Sequence, residues 1–517
     1  MNVVDYLFEK SKYLDKEFVC GIKETIRLGE LYKIVNGLAN YLKKNYKKGS
    51  RIVLCSDNSV FFIVAYLSII KSNSIVVLTD TRISEKDIES ICGKTEASAV
   101  FIQKRFQNKF NPYFAKYSFD LNNVFNENSI ERILEKSKET HTDDGKTDNI
   151  ADSDEIAVII FTSATTGDKK GVMLSHRNII SNTDQIINYL KLTENDRIEV
   201  VLPFYYCYGT SLLHTHLRIG ASMVLNKSIF VGSVLNEINK YKCTGFAGVP
   251  TTFHILIKKT DFLKTNFANL RYMTQAGGKL ANKFIQIIID SFEKQGIEFY
   301  VMYGATEATA RLSYMPPELT KTKLGSIGKG IPGIQLTVLN KEGIQVKPGE
   351  MGEIVASGDN IMQGYYKDTE ASAEVLKNGK YYTGDLATID EDGFIYIVGR
   401  KNNIIKSAGY RVSPNEIQDT ILELPEVYEC AVLGIPDEIM GEAIVAVIES
   451  DEKSDEFKKR IIEYCNKKLP SFKVPRIIKL FKHIPLTTSN KKDTVKIKKI
   501  LLNKKNGFCN GADRFVA

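Results

Sequence analysis

Apolar residues recur three and four apart across residues 31–42 (LYKIVNGLANYL), a spacing that predicts an amphipathic helix. Residues 51–55 and 74–78 (SIVVL) are instead short, β-branched apolar runs, predicted as strands flanking a helical stretch at 61–70. The same alternation continues through 97–102, 156–161, 197–202, 221–225, 245–249, 272–275 and 298–302, the rhythm of parallel α/β sheets. Around Gly325 the texture changes to short β-like runs, IQLTVL and EIVAS, with turns at KEG and KPGE. A further strand pair, ATIDEDGFIYIVGR, turns at Asp392 and Gly393. Beyond it AVLGIPDEIMGEAIVAVIE and a Lys-rich helical tail predict a smaller α+β unit. The polar stretch KSKETHTDDGKTDN is predicted as an exposed loop.

The expected class is therefore α/β. A large N-terminal domain, 1–401, carries α/β sheet subdomains and a β subdomain at about 325–401, and a small α+β domain follows at 402–517. A chain of 517 residues exceeds what one core usually organises, which fits this division. The net charge of +8 is concentrated late, in 453–505, but no nucleic-acid module accompanies the lysines, so nucleic acid is not an expected partner. Eight cysteines lie scattered without a CxxC pair, arguing against a disulfide frame or a zinc site. The first residues lack a signal-peptide layout and no run of 18 apolar residues occurs. No membrane span and a cytoplasmic location are expected.

The first chemical candidate is FTSATTGDKKG at 161–171, which follows a strand and is predicted to lead into a helix. Its hydroxyls, free N–H groups, Gly167 and lysines can cradle phosphate oxygens, although the spacing is not that of a Walker loop. Alone, such a loop reads first as a solvated Ser/Thr turn. YGATE at 303–307 ends a predicted strand, where α/β sheets place ligand-binding groups, and it offers an aromatic ring, a close-approach glycine, a hydroxyl and a carboxylate. YTGD at 382–385 presents a carboxylate able to accept from ribose hydroxyls. GRKNNIIKSAGYRVSPNE at 399–416 and PLTTSNK at 485–491 complete the set.

In this order, and with LPFYYCYG, QAGGKL and GSIGKGIPG between them, these motifs resemble the AMP-forming acyl-adenylate superfamily: acyl-CoA synthetases, adenylation domains and luciferase-like enzymes. The resemblance covers nearly the whole chain. It implies ATP-dependent activation of a carboxylic acid to an acyl-AMP, release of pyrophosphate, then transfer to a thiol. By resemblance Thr162, Ser163, Thr165, Thr166, Gly167 and Lys170 cradle the β- and γ-phosphates. Tyr303 stacks on adenine beside Gly304 and Gly278, Thr306 reaches the α-phosphate, and Glu307 holds Mg²⁺. Asp385 with Arg400 takes the ribose. Lys491 bridges the substrate carboxylate and the phosphate, Gly409 borders a pantetheine path, and a hinge falls near Asn402. The acyl pocket is implied near Tyr206, Gly277, Met302 and Ala305.

Ala164, Lys169, Asn402 and Asn490 depart from the family's common residues; asparagine is the non-glycine residue best suited to positive φ. The segment after LPF contains no Asp of the kind that holds an α-amino group, which argues against an amino-acid substrate. Arg311, in ATARLSY, is read first as a surface salt-bridge residue, with contact to a polar or anionic substrate tail as the alternative; His176 is read as a helix-start residue and Cys207 as a packing cysteine. No carrier domain follows Lys491, so the thiol is external: coenzyme A first, the phosphopantetheine of a separate acyl-carrier protein second. A catalytically inactive nucleotide-binding homologue is the reading from a different class.

Overall fold

In the computed structural model the described residues are 1–21, 24–116, 123–139, 152–162, 169–226, 232–487 and 492–503. Two sheets form the bulk of the N-terminal part. In the nine-stranded sheet, strands Glu298–Tyr303, Tyr272–Gln275, Gly245–Gly248, Arg197–Val200, Ser222–Leu225 and Glu17–Cys20 run parallel in that spatial order. Antiparallel strands close both edges. The six-stranded sheet runs Val124–Phe125, Ala99–Ile102, Arg51–Cys55, Ile75–Thr79, Ile156–Thr162, Lys170–Ser175, parallel except for its last pair.

Helices Val3–Phe8, Leu28–Asn45, Val60–Lys71, His176–Leu190 and Cys207–Arg218 contribute to one continuous core with both sheets. Val60–Lys71 buries every residue from Phe61 to Ile70, as a helix apolar on all sides must. Its Tyr66 hydroxyl is hydrogen-bonded to His214 of the helix Cys207–Arg218, with Oη 2.8 Å from Nε2 across the core.

A five-stranded antiparallel sheet follows, with Gln335–Leu339, Gly352–Ser357, Lys380–Ile389 and Leu376–Lys377 in order and Ile395–Arg400 paired to Lys380–Ile389. The expected turn at Asp392 and Gly393 is present, with Gly393 at φ +77°. The last sheet joins Tyr410–Val412, Ile405–Ser407, Gly441–Glu449 and Glu429–Asp437, with Ile477–Phe481 parallel to Gly441–Glu449. Helices Pro414–Leu422 and Asp455–Lys468 share a second core with Phe253, Phe284 and Phe299 of the nine-stranded sheet's layer. Among the described residues no helix is long and apolar enough to cross a membrane. The seven described cysteines are buried thiols, none in a disulfide.

Two expectations are corrected. The loop after Ile156–Thr162 does not lead into a helix: Lys170–Ser175 returns antiparallel, and the helix begins only at His176, capped by Ser175. The alternating Gly171, Val172, Met173, Leu174 completes a strand before the helical period begins at His176. The polar stretch taken as a loop is helical as far as Glu139, the end of Glu127–Glu139; residues 140–151 lie outside the described ones.

Candidate active site

The hairpin brings Thr162 and Lys170 opposite each other, with Thr162 Oγ1 donating to the Lys170 carbonyl at 3.4 Å. Ser163, Ala164, Thr165, Thr166 and Gly167 lie outside the described residues. The two lysines that leave the loop have different surroundings. Lys169 pairs with Asp87 at 3.0 Å, whereas Lys170 places its ammonium 5.0 Å from the centroid of the Tyr365 ring and has no carboxylate partner among the described residues.

YGATE stands at the end of Glu298–Tyr303, as its sequence position implied. Gly304 admits no side chain there, because a Cβ would come within 1.9 Å of the Ala310 carbonyl oxygen. Thr306–Ala308 is a 3₁₀ turn, and Thr309 after it adopts φ +64°, ψ −59°, a strained conformation for a β-branched residue. Buried Asn360 holds this turn: its Nδ2 donates to the carbonyls of Ala308 and Arg311, and its own carbonyl accepts from Thr309 Oγ1 at 2.8 Å.

Around this turn the candidate nucleotide residues converge. Tyr303 donates its hydroxyl to Asp385 at 2.6 Å, and the other Asp385 oxygen accepts from Arg400 Nε at 2.9 Å. Asp385 and Arg400 are register partners on adjacent antiparallel strands, which is what puts carboxylate and guanidinium side by side. Burial and the neighbouring Asp385 together push the Tyr303 phenol well above its ordinary range, so it stays a donor. Glu307 Oε1 accepts from the Tyr365 hydroxyl at 2.9 Å. The other Glu307 oxygen has no donor among the described residues, which fits one carboxylate serving Mg²⁺ alongside phosphate oxygens.

The residues implied for the acyl pocket lie beside the same turn. Met302 is buried and accepts a 3.0 Å bond at its sulfur from Tyr189; Ala305 is half-buried. Tyr206 caps the helix Cys207–Arg218, and Cys207 Sγ lies 3.5 Å from Thr306 Oγ1. Gly277, at φ +85°, sits in a turn that Gln275 ties by donating to the Gly278 carbonyl at 2.7 Å. Arg311 is the clear correction: it is no surface residue but is 2% exposed, with its guanidinium 4.3 Å over the Tyr208 ring. The periodicity around it, ATARLSY, gave no sign of burial because the preceding turn is irregular. His176 opens its helix as expected; its Nδ1 accepts from the Val3 amide, and burial pushes its pKa down to about 4.

In the C-terminal part, Asn490 and Lys491 lie outside the described residues. Lys492, next in the chain, donates to Gln418 Oε1 at 2.9 Å, to the Cys430 carbonyl at 2.8 Å and to Glu429 Oε1 at 3.1 Å. The other Glu429 oxygen meets His254 Nδ1 at 3.3 Å, on the helix Pro250–Lys259 of the N-terminal part. Lys279 to Asp419, at 2.5 Å, is a second tie across this boundary. Asn402 falls in the short 3₁₀ turn Lys401–Asn403. Gly409 occupies a two-residue hairpin turn with Ala408, both at positive φ; among the described residues, its chain neighbours apart, no atom lies within 4 Å of where its Cβ would be.

Tyr365, Asn360, Glu429 and Lys492 were missed in the sequence. Tyr365 lies in MQGYYKD, which carries no chemical signature; the tertiary fold lays that segment along Lys170–Ser175, through Met173 N to Gly364 O at 3.0 Å and Tyr366 N to Gly171 O at 2.7 Å. This segment, bridged to Val172 at Tyr365, brings Tyr365 between Lys170 and Glu307.

Comparison with known proteins adds independent findings. A family described as AMP-binding enzyme matches residues 9–366, and one described as AMP-binding enzyme C-terminal domain matches 416–491. The chain is 27% identical over 532 residues to a long-chain-fatty-acid–CoA ligase of Escherichia coli O6:H1, covering 95% of this chain and 93% of the relative. It is 27% identical over 451 residues to an oxalate–CoA ligase of Arabidopsis thaliana, covering 86% and 87%. Its fold matches ATP-bound MatB of Rhodopseudomonas palustris with a TM-score of 0.87 at 23% identity, over 97% of this chain and 99% of the other.

Proposed function

The chain belongs to the AMP-binding enzyme family, and on that footing we propose that it is an AMP-forming acid–thiol ligase. It joins a carboxylic acid to ATP as an acyl-AMP, releases pyrophosphate, and passes the acyl group to coenzyme A. The observation that carries this reading is the convergence at one turn of two linked pairs, Tyr303 with Asp385 and Glu307 with Tyr365. The first pair suits adenine and ribose, the second the phosphates.

A carboxylate is a poor acyl donor because its oxide leaves badly; making it a mixed anhydride with AMP supplies a leaving group. Two anions must meet for this, and preorganised positive charge and donors lower the barrier. Lys170 and the hydroxyls of Thr162, Ser163, Thr165 and Thr166 hold the departing pyrophosphate side. Thr306 donates to the α-phosphate, and Lys491 sits between the attacking carboxylate and the phosphorus centre. Glu307 holds Mg²⁺, which when bound neutralises phosphate charge. Asp385 accepts from the ribose, oriented by Arg400. Asn402 is the hinge about which residues 402–517 turn, so that Lys491 serves the first step and the hairpin at Gly409 faces the thiol in the second.

Coenzyme A is chosen as acceptor because the relatives are named as CoA ligases. Their acids differ, so family membership leaves the acid to the pocket. The reading predicts acid-dependent exchange of pyrophosphate into ATP, abolished by Glu307→Ala and strongly reduced by Lys491→Ala. Exchange that survives both substitutions at the wild-type rate would overturn it.

A further inference from the structure

The residue in the pocket region that the adenylation chemistry does not use is Arg311. Its guanidinium is always charged at physiological pH and carries five N–H donors. Two of these have acceptors, both long: Nε to the Tyr189 hydroxyl at 3.3 Å and Nη1 to the Ala310 carbonyl at 3.5 Å. No carboxylate pairs with it among the described residues, although its side chain is almost wholly buried. A buried cation left without an anion is costly, and proteins supply a counter-charge from the chain or from a ligand.

The surroundings point to the ligand. Tyr189 accepts from Arg311 and donates on to the sulfur of Met302, a residue of the proposed acyl pocket. Tyr208 lies under the guanidinium, and Tyr208 follows Cys207, whose sulfur is 3.5 Å from Thr306. Asn182 clasps the Arg311 backbone on both sides, with N to Oδ1 at 3.2 Å and Nδ2 to O at 3.1 Å, and together with Cys207 it lines an interior cavity. Thr210, Ser211 and His214 share that cavity's lining with the aliphatic side chains of Ile160, Leu174 and Ile186. The Arg311 turn is itself fixed by Asn360. Asn182 and Asn360 together hold the backbone that carries the cation.

We propose that Arg311 receives a second anionic group of the acid, so that the substrate class is a short dicarboxylic acid, activated at one carboxylate and anchored by the other. This rests on the adenylation reading above and deepens it. The distal carboxylate can take the unspent N–H groups in a bidentate pair, which a lysine or a neutral side chain cannot reproduce. A monocarboxylate of equal length leaves the guanidinium unpaired and is discriminated against for that reason.

The test is pyrophosphate exchange by the full chain with matched acids: succinate against butyrate, adipate against hexanoate, with octanoate and palmitate added. The expected result is kcat/KM for the best dicarboxylate at least about 30-fold above its monocarboxylate partner, the range set by losing one member of a buried charge pair. Arg311→Met should erase that ratio, lowering the dicarboxylate and raising the monocarboxylate, with KM for ATP unchanged; Arg311→Lys should retain part of it. Wild-type preference for monocarboxylates, or an Arg311→Met loss equal for both acids, overturns the proposal and leaves the adenylation reading standing. If Arg311→Met does not fold, the wild-type ratio alone decides. Exchange with no acid at all sinks the adenylation reading and this proposal with it.

Discussion

The Tyr303 hydroxyl lies 2.6 Å from Asp385, so the ring proposed to stack on adenine and the carboxylate proposed to hold ribose are one hydrogen-bonded unit. Arg400 completes it from the far side of the carboxylate at 2.9 Å. A ring tethered through its hydroxyl is preorganised, and preorganisation reduces the entropy lost on binding.

Tyr303→Phe keeps the stacking surface and removes the tether. A hydrogen bond to a charged group contributes about 2 kcal/mol, so KM for ATP should rise by roughly thirtyfold while the acid's KM moves little. Initial-rate kinetics at saturating acid checks this; equal rises in both constants would assign Tyr303 to general stability.

Tyr365 stands between Lys170 and Glu307, under the ammonium and bonded to the carboxylate. Tyr365→Phe retains the ring for Lys170 and frees Glu307 Oε1. The Mg²⁺ concentration for half-maximal exchange should then shift by a few-fold with kcat largely kept, whereas Tyr365→Ala should also weaken binding of pyrophosphate. Magnesium titrations of the two variants separate these effects.

Adjacent lysines should behave differently. Lys492 is a positioning residue, tied to Glu429, whereas Lys491 is proposed to touch the reacting groups. Burial alone would raise the Glu429 pKa, but Lys492 and His254 outweigh it and hold it down at about 2. A depressed carboxylate pKa contributes stability that is present above the unfolded value near 4.3 and is lost as pH falls toward 2. Glu429→Ala should therefore lower stability at neutral pH by about 2 kcal/mol, less than a fully buried pair because Lys492 is 30% exposed, and flatten the acid limb of the melting profile. Lys491→Ala should leave the melting temperature unchanged and lose exchange. Calorimetry beside exchange assays distinguishes them.

Glu199 is buried in Arg197–Val200, accepting from Asn226 at 2.8 Å, and desolvation pushes its pKa up to about 8. The folded value lies above the unfolded one, so its favourable contribution is complete below about pH 4.3 and is lost as pH rises through 8. Glu199→Gln should match the wild type near pH 4 and exceed it by of order 5 kcal/mol at pH 8.5. Denaturant titrations at the two pH values measure the difference; a pH-independent gap would mean that Glu199 is ionised in the fold.

The alternating runs and the ordered motifs determined the α/β class and the strand-end location of YGATE, because side-chain periodicity is written locally in the chain. Gly304 was readable too, as a close-approach glycine. The burial of Arg311, Tyr365 beside Glu307 and the Glu429–Lys492–His254 tie were decided by the tertiary structure alone. Each depends on segments far apart in sequence being packed together, and neither the charge of an arginine nor the ring of a tyrosine carries any local sign of which distant surface will cover it.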